Sequence, residues 1–105
     1  MRCGSTSLVA IVGDHVVRVQ RGQVKRPKIP VVLQPTETIA CGPYTVEILP
    51  LLTPAERLPR KLQREGFAII RKNIPRGYTE VDLHLGNFGF SPEHGWKIFD
   101  PEALQ

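Results

Sequence analysis

The sequence predicts an α+β fold of antiparallel strands, one main helix and a C-terminal hairpin, arranged as a single domain over residues 1–105. Three observations carry this expectation. β-rich runs at 6–12 and 15–20 flank Gly13-Asp14, a dipeptide suited to the tight turn of a hairpin. Between 59 and 73 the apolar positions recur at helical rather than alternating spacing. Two short runs, 88–91 and 95–99, are joined across the turn-forming Pro92-Glu93-His94-Gly95. With 41% apolar and 23% charged residues the chain can bury a modest core, and no low-complexity run argues for disorder.

From the N-terminus, Cys3-Gly4-Ser5-Thr6-Ser7 is a small polar segment of the kind whose backbone N–H groups can cover phosphates. The first hairpin follows, with Val16, Val17 and Val19 around Arg18 on its second strand. From 21 to 35 the chain carries Gly22, Pro27, Pro30 and Pro35, a proline density that excludes a long helix and leaves a loop with one short strand at 29–33. Residues 37–41 and 44–52, separated by Gly42-Pro43, read as a second hairpin. Thr53-Pro54-Ala55-Glu56 has the form of a helix start, with threonine as N-cap, proline at the first helical position and glutamate closing a capping box. Because Pro59 sits too deep for one unbroken helix, a short turn is expected first and the main helix from about 59 to 73. Ala55, Leu58, Leu62, Ile69 and Ile70 form its apolar stripe, with Arg60, Lys61, Arg64, Arg71 and Lys72 mostly off it. Pro75 and Gly77 end the helix, and a short strand at 80–83 leads to the final hairpin, where Trp96 is a packing residue.

The chemistry concentrates near the C-terminal end. Asp82, Asn87 and Asp100 are oxygen-bearing side chains in short apolar-flanked segments, and magnesium prefers such hard ligands completed by phosphate and water. The hairpin gathers two of them, because Asn87 precedes its first strand and Asp100 follows its second. Cys3, Cys41, His84 and His94 do not fall at zinc-ligand spacing, and the two cysteines read as unlinked thiols. The net charge of +4 comes from two basic clusters, 18–28 and 57–76, either of which can meet an acidic protein surface or nucleic acid. Seven aromatic residues, mostly in core strands, supply little base-stacking platform. No apolar run is long enough to span a bilayer and no signal-peptide core is visible, so a cytoplasmic location is expected.

The run Val81-Asp82-Leu83-His84-Leu85-Gly86-Asn87-Phe88, followed by Trp96-Lys97-Ile98-Phe99-Asp100, resembles the catalytic loop of kinases, whose acid and asparagine stand at D-x-x-x-x-N spacing. Its wording, D-L-H-x-G-N, is similar to the aminoglycoside phosphotransferase and choline kinase branch and to short kinase-like domains of phages and mobile elements. The resemblance implies a minimal kinase-like fold, with an antiparallel N-lobe-type sheet, one main helix, a C-terminal catalytic-loop hairpin and a truncated C-lobe. It implies Asp82 as the residue orienting an acceptor hydroxyl, Asn87 and Asp100 as magnesium ligands, and His84 and Gly86 as loop supports. On the nucleotide side it implies Ser5 covering the phosphates of ATP, Arg18 meeting them from its strand, and Glu47 or Glu37 replacing the glutamate that the family carries on a helix between its strands. The segment 44–50 is then the strand that runs into the adenine-binding hinge. Two departures are Glu80, which stands where the family places a histidine, and the end of the chain at Gln105, before any activation segment or helical C-lobe. The expected function is a reduced, catalytically impaired kinase-like module that binds a protein partner, in the manner of a phage-type inhibitor of a host or defence complex. The alternatives are an active ATP- and magnesium-dependent phosphotransferase and a basic nucleic-acid-binding domain.

Overall fold

The structure, a computed structural model, describes residues 8–78 and 81–105. Its elements are β1 (Leu8–Val12), β2 (His15–Arg21), β3 (Glu37–Cys41), β4 (Tyr44–Pro50), β5 (Thr53–Pro54), a 3₁₀ turn (Ala55–Arg57), α1 (Arg60–Asn73), β6 (Phe88–Ser91) and β7 (Gly95–Ile98). The described residues form two compact units, one made of 8–24 together with Gln34–Leu51, the other of Lys25–Leu33 and the described part of Leu52–Gln105.

The first unit is a four-stranded antiparallel sheet in the order β1-β2-β4-β3. Both of its hairpins turn on a glycine with positive φ, Gly13 at 62° and Gly42 at 60°, followed by a residue without one. Glycine at the first central position of a two-residue loop is the type II′ signature, whose twist matches that of the strands it joins. The register sets Arg18 opposite Glu47 and Val16 opposite Leu49. Leu49 and Glu47 are buried, whereas all five residues of β1 and all five of β3 are exposed.

The second unit carries the hydrophobic core, built from Val31, Val32, Ala55, Ile70, Phe88, Ile98, Ala103 and Leu104. Phe88, Ile70 and Ile98 are completely buried. Each such side chain stabilises by about 1.5–3 kcal/mol relative to exposure. β5, β6 and β7 form a small antiparallel sheet with β6 in the middle. Trp96 on β7 lies against Phe88 and Phe90, with ring centroids 5.8 and 5.1 Å away. Its ring also occupies the space beside Gly66 of α1, where an added Cβ would stand 2.6 Å from Cε3. The helix therefore packs through Gly66, Phe67 and Ile70, with Gln63 above them donating from Nε2 to the carbonyls of Ala55 and Leu58.

Several sequence expectations are corrected here. The buried arc of α1 is rotated by roughly 70° from the aliphatic stripe, and Leu62 and Ile69 are exposed. The cause is Gly66, which carries no hydropathy signal but is where an indole can approach. Thr53 is not an N-cap: it pairs with Phe90 as part of β5, and neither the 3₁₀ turn nor α1 has a side-chain cap. The strand expected at 29–33 reduces to one parallel bridge, Val32 to Ile98, flanked by bonds from Leu33 N to Ile98 O and from Ile98 N to Val31 O. Pro30 has no amide hydrogen to extend it. Likewise, the strand expected at 80–83 is, among the described residues, a single bridge from Val81 to Leu104. Among the described residues no helix is long and apolar enough to cross a membrane.

Candidate functional site

Residues 82–87 form a loop whose apolar and polar positions alternate. Leu83 and Leu85 pack against the core, while Asp82, His84 and Gly86 are exposed. The loop is tied to its unit at both ends. Asp82 N donates to Ala103 O at 2.7 Å, and Phe99 N donates to Asn87 O at 3.0 Å. Its interior is closed by one buried side chain, Asn87, which is 2% exposed. Asn87 Nδ2 donates to Asp82 O, and Asn87 Oδ1 accepts from His84 N at 3.1 Å. A backbone turn bond from Asn87 N to His84 O, 3.0 Å, completes the ring. An asparagine suits this place because its amide supplies a donor and an acceptor on one rigid fork.

His84 is a support of the same loop. Gly86 N donates to its Nδ1 at 3.1 Å, which places the proton of a neutral ring on Nε2. That nitrogen lies 3.9 Å from Asp82 Oδ2, both side chains being more than half exposed. Exposed pairs of this kind contribute little to stability. Gly86 lets the His84 ring lie close, since a Cβ there would stand 3.1 Å from the ring and shift it by a few tenths of an ångström.

Asp100 follows β7 and is half-buried. Its Oδ1 accepts from Glu102 N at 3.0 Å and its carbonyl accepts from Ala103 N at 3.2 Å, a local turn that carries the chain back to the bridge at Leu104. The pairing of Phe88 with Ile98 sets Asn87 and Asp100 at the open end of the β6–β7 hairpin. The connections thus run from the Asp82 carbonyl to the Asn87 side chain, and from the Asn87 backbone carbonyl to the Phe99-Asp100 segment. Sequence reasoning missed one further contributor, Arg26, whose Nη1 donates to Phe99 O at 3.4 Å and to Leu33 O at 3.1 Å. Nothing local in the sequence signals a contact across 73 positions.

Of the nucleotide-side residues, Arg18 and Glu47 belong to the four-stranded sheet. They face each other across β2 and β4, with Nη1 and Oε1 3.4 Å apart and side chains 15% and 4% exposed. A carboxylate does meet the strand's cation, but it comes from the neighbouring strand and not from a helix. Ser5 lies outside the described residues, as does Glu80.

The oxygens that the sequence assigns to magnesium are already engaged in part, and Asn87 is buried. Asn87 Oδ1 keeps one lone pair after its bond to His84 N, and Asp100 keeps Oδ2 and part of Oδ1. Two hard oxygens with phosphate and water completing the shell is the usual magnesium arrangement. The fold does not require the ion, since every buried side-chain nitrogen and oxygen among the described residues already has a partner. Among those residues no group of three or more His, Cys, Asp or Glu side chains is placed to hold a metal. Comparison with protein-family models, with curated proteins and with solved structures found no match.

Proposed function

We propose that this chain is a kinase-like module that works by binding an acidic surface of a partner protein, and that its Asp82 loop is catalytically impaired. The observation that carries the reading is the outer face of α1. Arg60, Lys61, Arg64, Arg71 and Lys72 are all exposed, and at 100° per residue they fall within about 120° of arc. Arg57 and Arg76 extend the same charge beyond the two ends of the helix. Arg71 is also held over the Phe67 ring, 5.7 Å from its centroid, so part of this surface is ordered before any partner arrives. A single-sign strip steers association and selects partners of opposite potential. Impairment is supported by Asn87, whose burial and paired amide make it the internal tie of the loop more than a ligand in reach of solvent.

A phosphotransferase is the second reading, and one observation favours it. The Asp82 side chain is 74% exposed on a loop whose backbone is tied at both ends. Held there, the carboxylate can accept the hydrogen bond of a substrate hydroxyl and orient it. Magnesium, when bound by Asp100 with Asn87, would supply neutralisation of phosphate charge; positioning and such neutralisation account for most catalysis of this type.

Titration calorimetry with ATP and magnesium separates the two. The partner reading expects no turnover above background; nucleotide hydrolysis or transfer that is lost in Asp82→Ala while the fold is retained overturns it. For the partner surface, the triple variant Arg60→Glu, Arg64→Glu, Arg71→Glu should lose its cross-linked protein partner. A partner that is retained in full removes the helix from the interface. Salt-steep binding of the wild type to random duplex, lost in the same variant, would replace the protein partner with nucleic acid.

A further inference from the structure

One edge of the four-stranded sheet, β1, is apolar and exposed. β1 reads Leu8-Val9-Ala10-Ile11-Val12, with Leu8, Val9, Ile11 and Val12 each 60–74% exposed. Edge strands of soluble proteins are usually protected by charge, proline or a bulge, and this strand has none of them. The other edge, β3, carries Glu37 and Thr38 and is protected in part.

The register makes β1 self-complementary. The Gly13-Asp14 turn closes on the Val12–His15 pair, which is therefore hydrogen-bonded. Antiparallel alternation then directs the N–H and C=O groups of Leu8, Ala10 and Val12 toward β2, and leaves those of Val9 and Ile11 pointing outward. A second β1 laid antiparallel about Ala10 sets Val9 of each copy opposite Ile11 of the other, and joins all four outward pairs of groups in a ladder. The two Ala10 residues then meet at the two-fold axis as a non-bonded pair, the position where side chains come closest, and alanine is the smallest residue of the strand. Leu8 falls opposite Val12. No charge lies against a like charge, which antiparallel self-pairing would otherwise penalise.

We infer that two copies of this chain associate through β1, forming one continuous eight-stranded sheet. Edge pairing covers only the flanks of these side chains and leaves both faces of the sheet in water, so the two strands bury on the order of a few hundred Å². That is below the standard size of a permanent interface, so the dimer is a weak, reversible one. The pairing also closes the assembly: each β1 has one partner, whereas β1 joined to β3 would propagate without end.

The test uses the whole chain without any ligand: sedimentation equilibrium between about 5 and 500 µM. The wild type should approach twice the 11.8 kDa of one chain as concentration rises. Ile11→Lys, at a position already 65% exposed, should keep its circular dichroism and weaken association at least about tenfold. With Cys3 and Cys41 replaced by serine, Ala10→Cys should form an intermolecular disulfide under mild oxidation, since its Cα atoms would lie about 4.5 Å apart. Val12→Cys should not. A chain that stays monomeric throughout overturns the inference. So do a dimer in which Val12→Cys cross-links as well as Ala10→Cys, and a mass that climbs past the dimer.

Discussion

Asn87→Ala is the sharpest test of how the Asp82 loop is held. The substitution removes the bond from Nδ2 to Asp82 O and the bond from His84 N to Oδ1, at a side chain 2% exposed. A hydrogen bond of this kind contributes about 1 kcal/mol net, and a buried partner left unpaired costs about 1–3 kcal/mol. Asp82 and His84 are exposed residues, so water reaches part of what is uncovered and the lower end applies. The two losses together give about 2–3 kcal/mol. For a unit of this size that lowers Tm by roughly 10–20 °C. Urea titration followed by the fluorescence of Trp96, the one tryptophan, reads the stability of the unit that contains the loop. Asn87→Asp keeps the acceptor for His84 N but turns a carboxylate oxygen toward the Asp82 carbonyl, and is expected to cost about as much. Asp82→Ala should stay within about 0.5 kcal/mol, because that carboxylate is mostly in water. An Asn87→Ala variant within 0.5 kcal/mol of the parent would refute the reasoning, since the loop would then be held by something other than the amide.

Gly66→Ala gains about 0.8–1 kcal/mol of helix propensity, but its Cβ meets a Trp96 ring already packed against Phe88 and Phe90; a net loss of about 1–2 kcal/mol is expected by urea titration. Gly89→Ala should cost more, at least about 2 kcal/mol, because its Cβ runs into the Thr53 carbonyl, which is backbone and cannot rotate away. Loss of the β5–β6 pairing, read by amide exchange at Phe90, would accompany it. Glu47→Ala should destabilise by about 1–3 kcal/mol by removing the carboxylate opposite Arg18, while Arg18→Met with Glu47→Leu returns most of that in chemical denaturation.

The hairpins were legible in the sequence because their determinants are local. A glycine at the first turn position fixes a two-residue connection, and with it the register, in the β1–β2 and β3–β4 hairpins, and the three turn-forming residues Pro92-Glu93-His94 join β6 to β7, so these strands fall close to where the residues place them. The proline-rich 21–35 segment forms no helix for an equally local reason. Asn87 and Asp100 at one end of a hairpin followed from the position of its turn.

Tertiary structure alone decided the rest. Thr53 has the chemistry of a cap, yet a neighbouring strand used its backbone, and no window around it contains Phe90. The helix turned its glycine inward because an indole from β7 fills the space that a side chain would have taken, and hydropathy assigns no weight to an absent side chain. The role of Asn87 as tie, the contact of Arg26 with the Phe99 carbonyl and the meeting of Arg18 with Glu47 all join residues through partners that sequence order does not identify. Sequence determines what each segment can satisfy within a few residues; which distant group satisfies it depends on how the segments are packed.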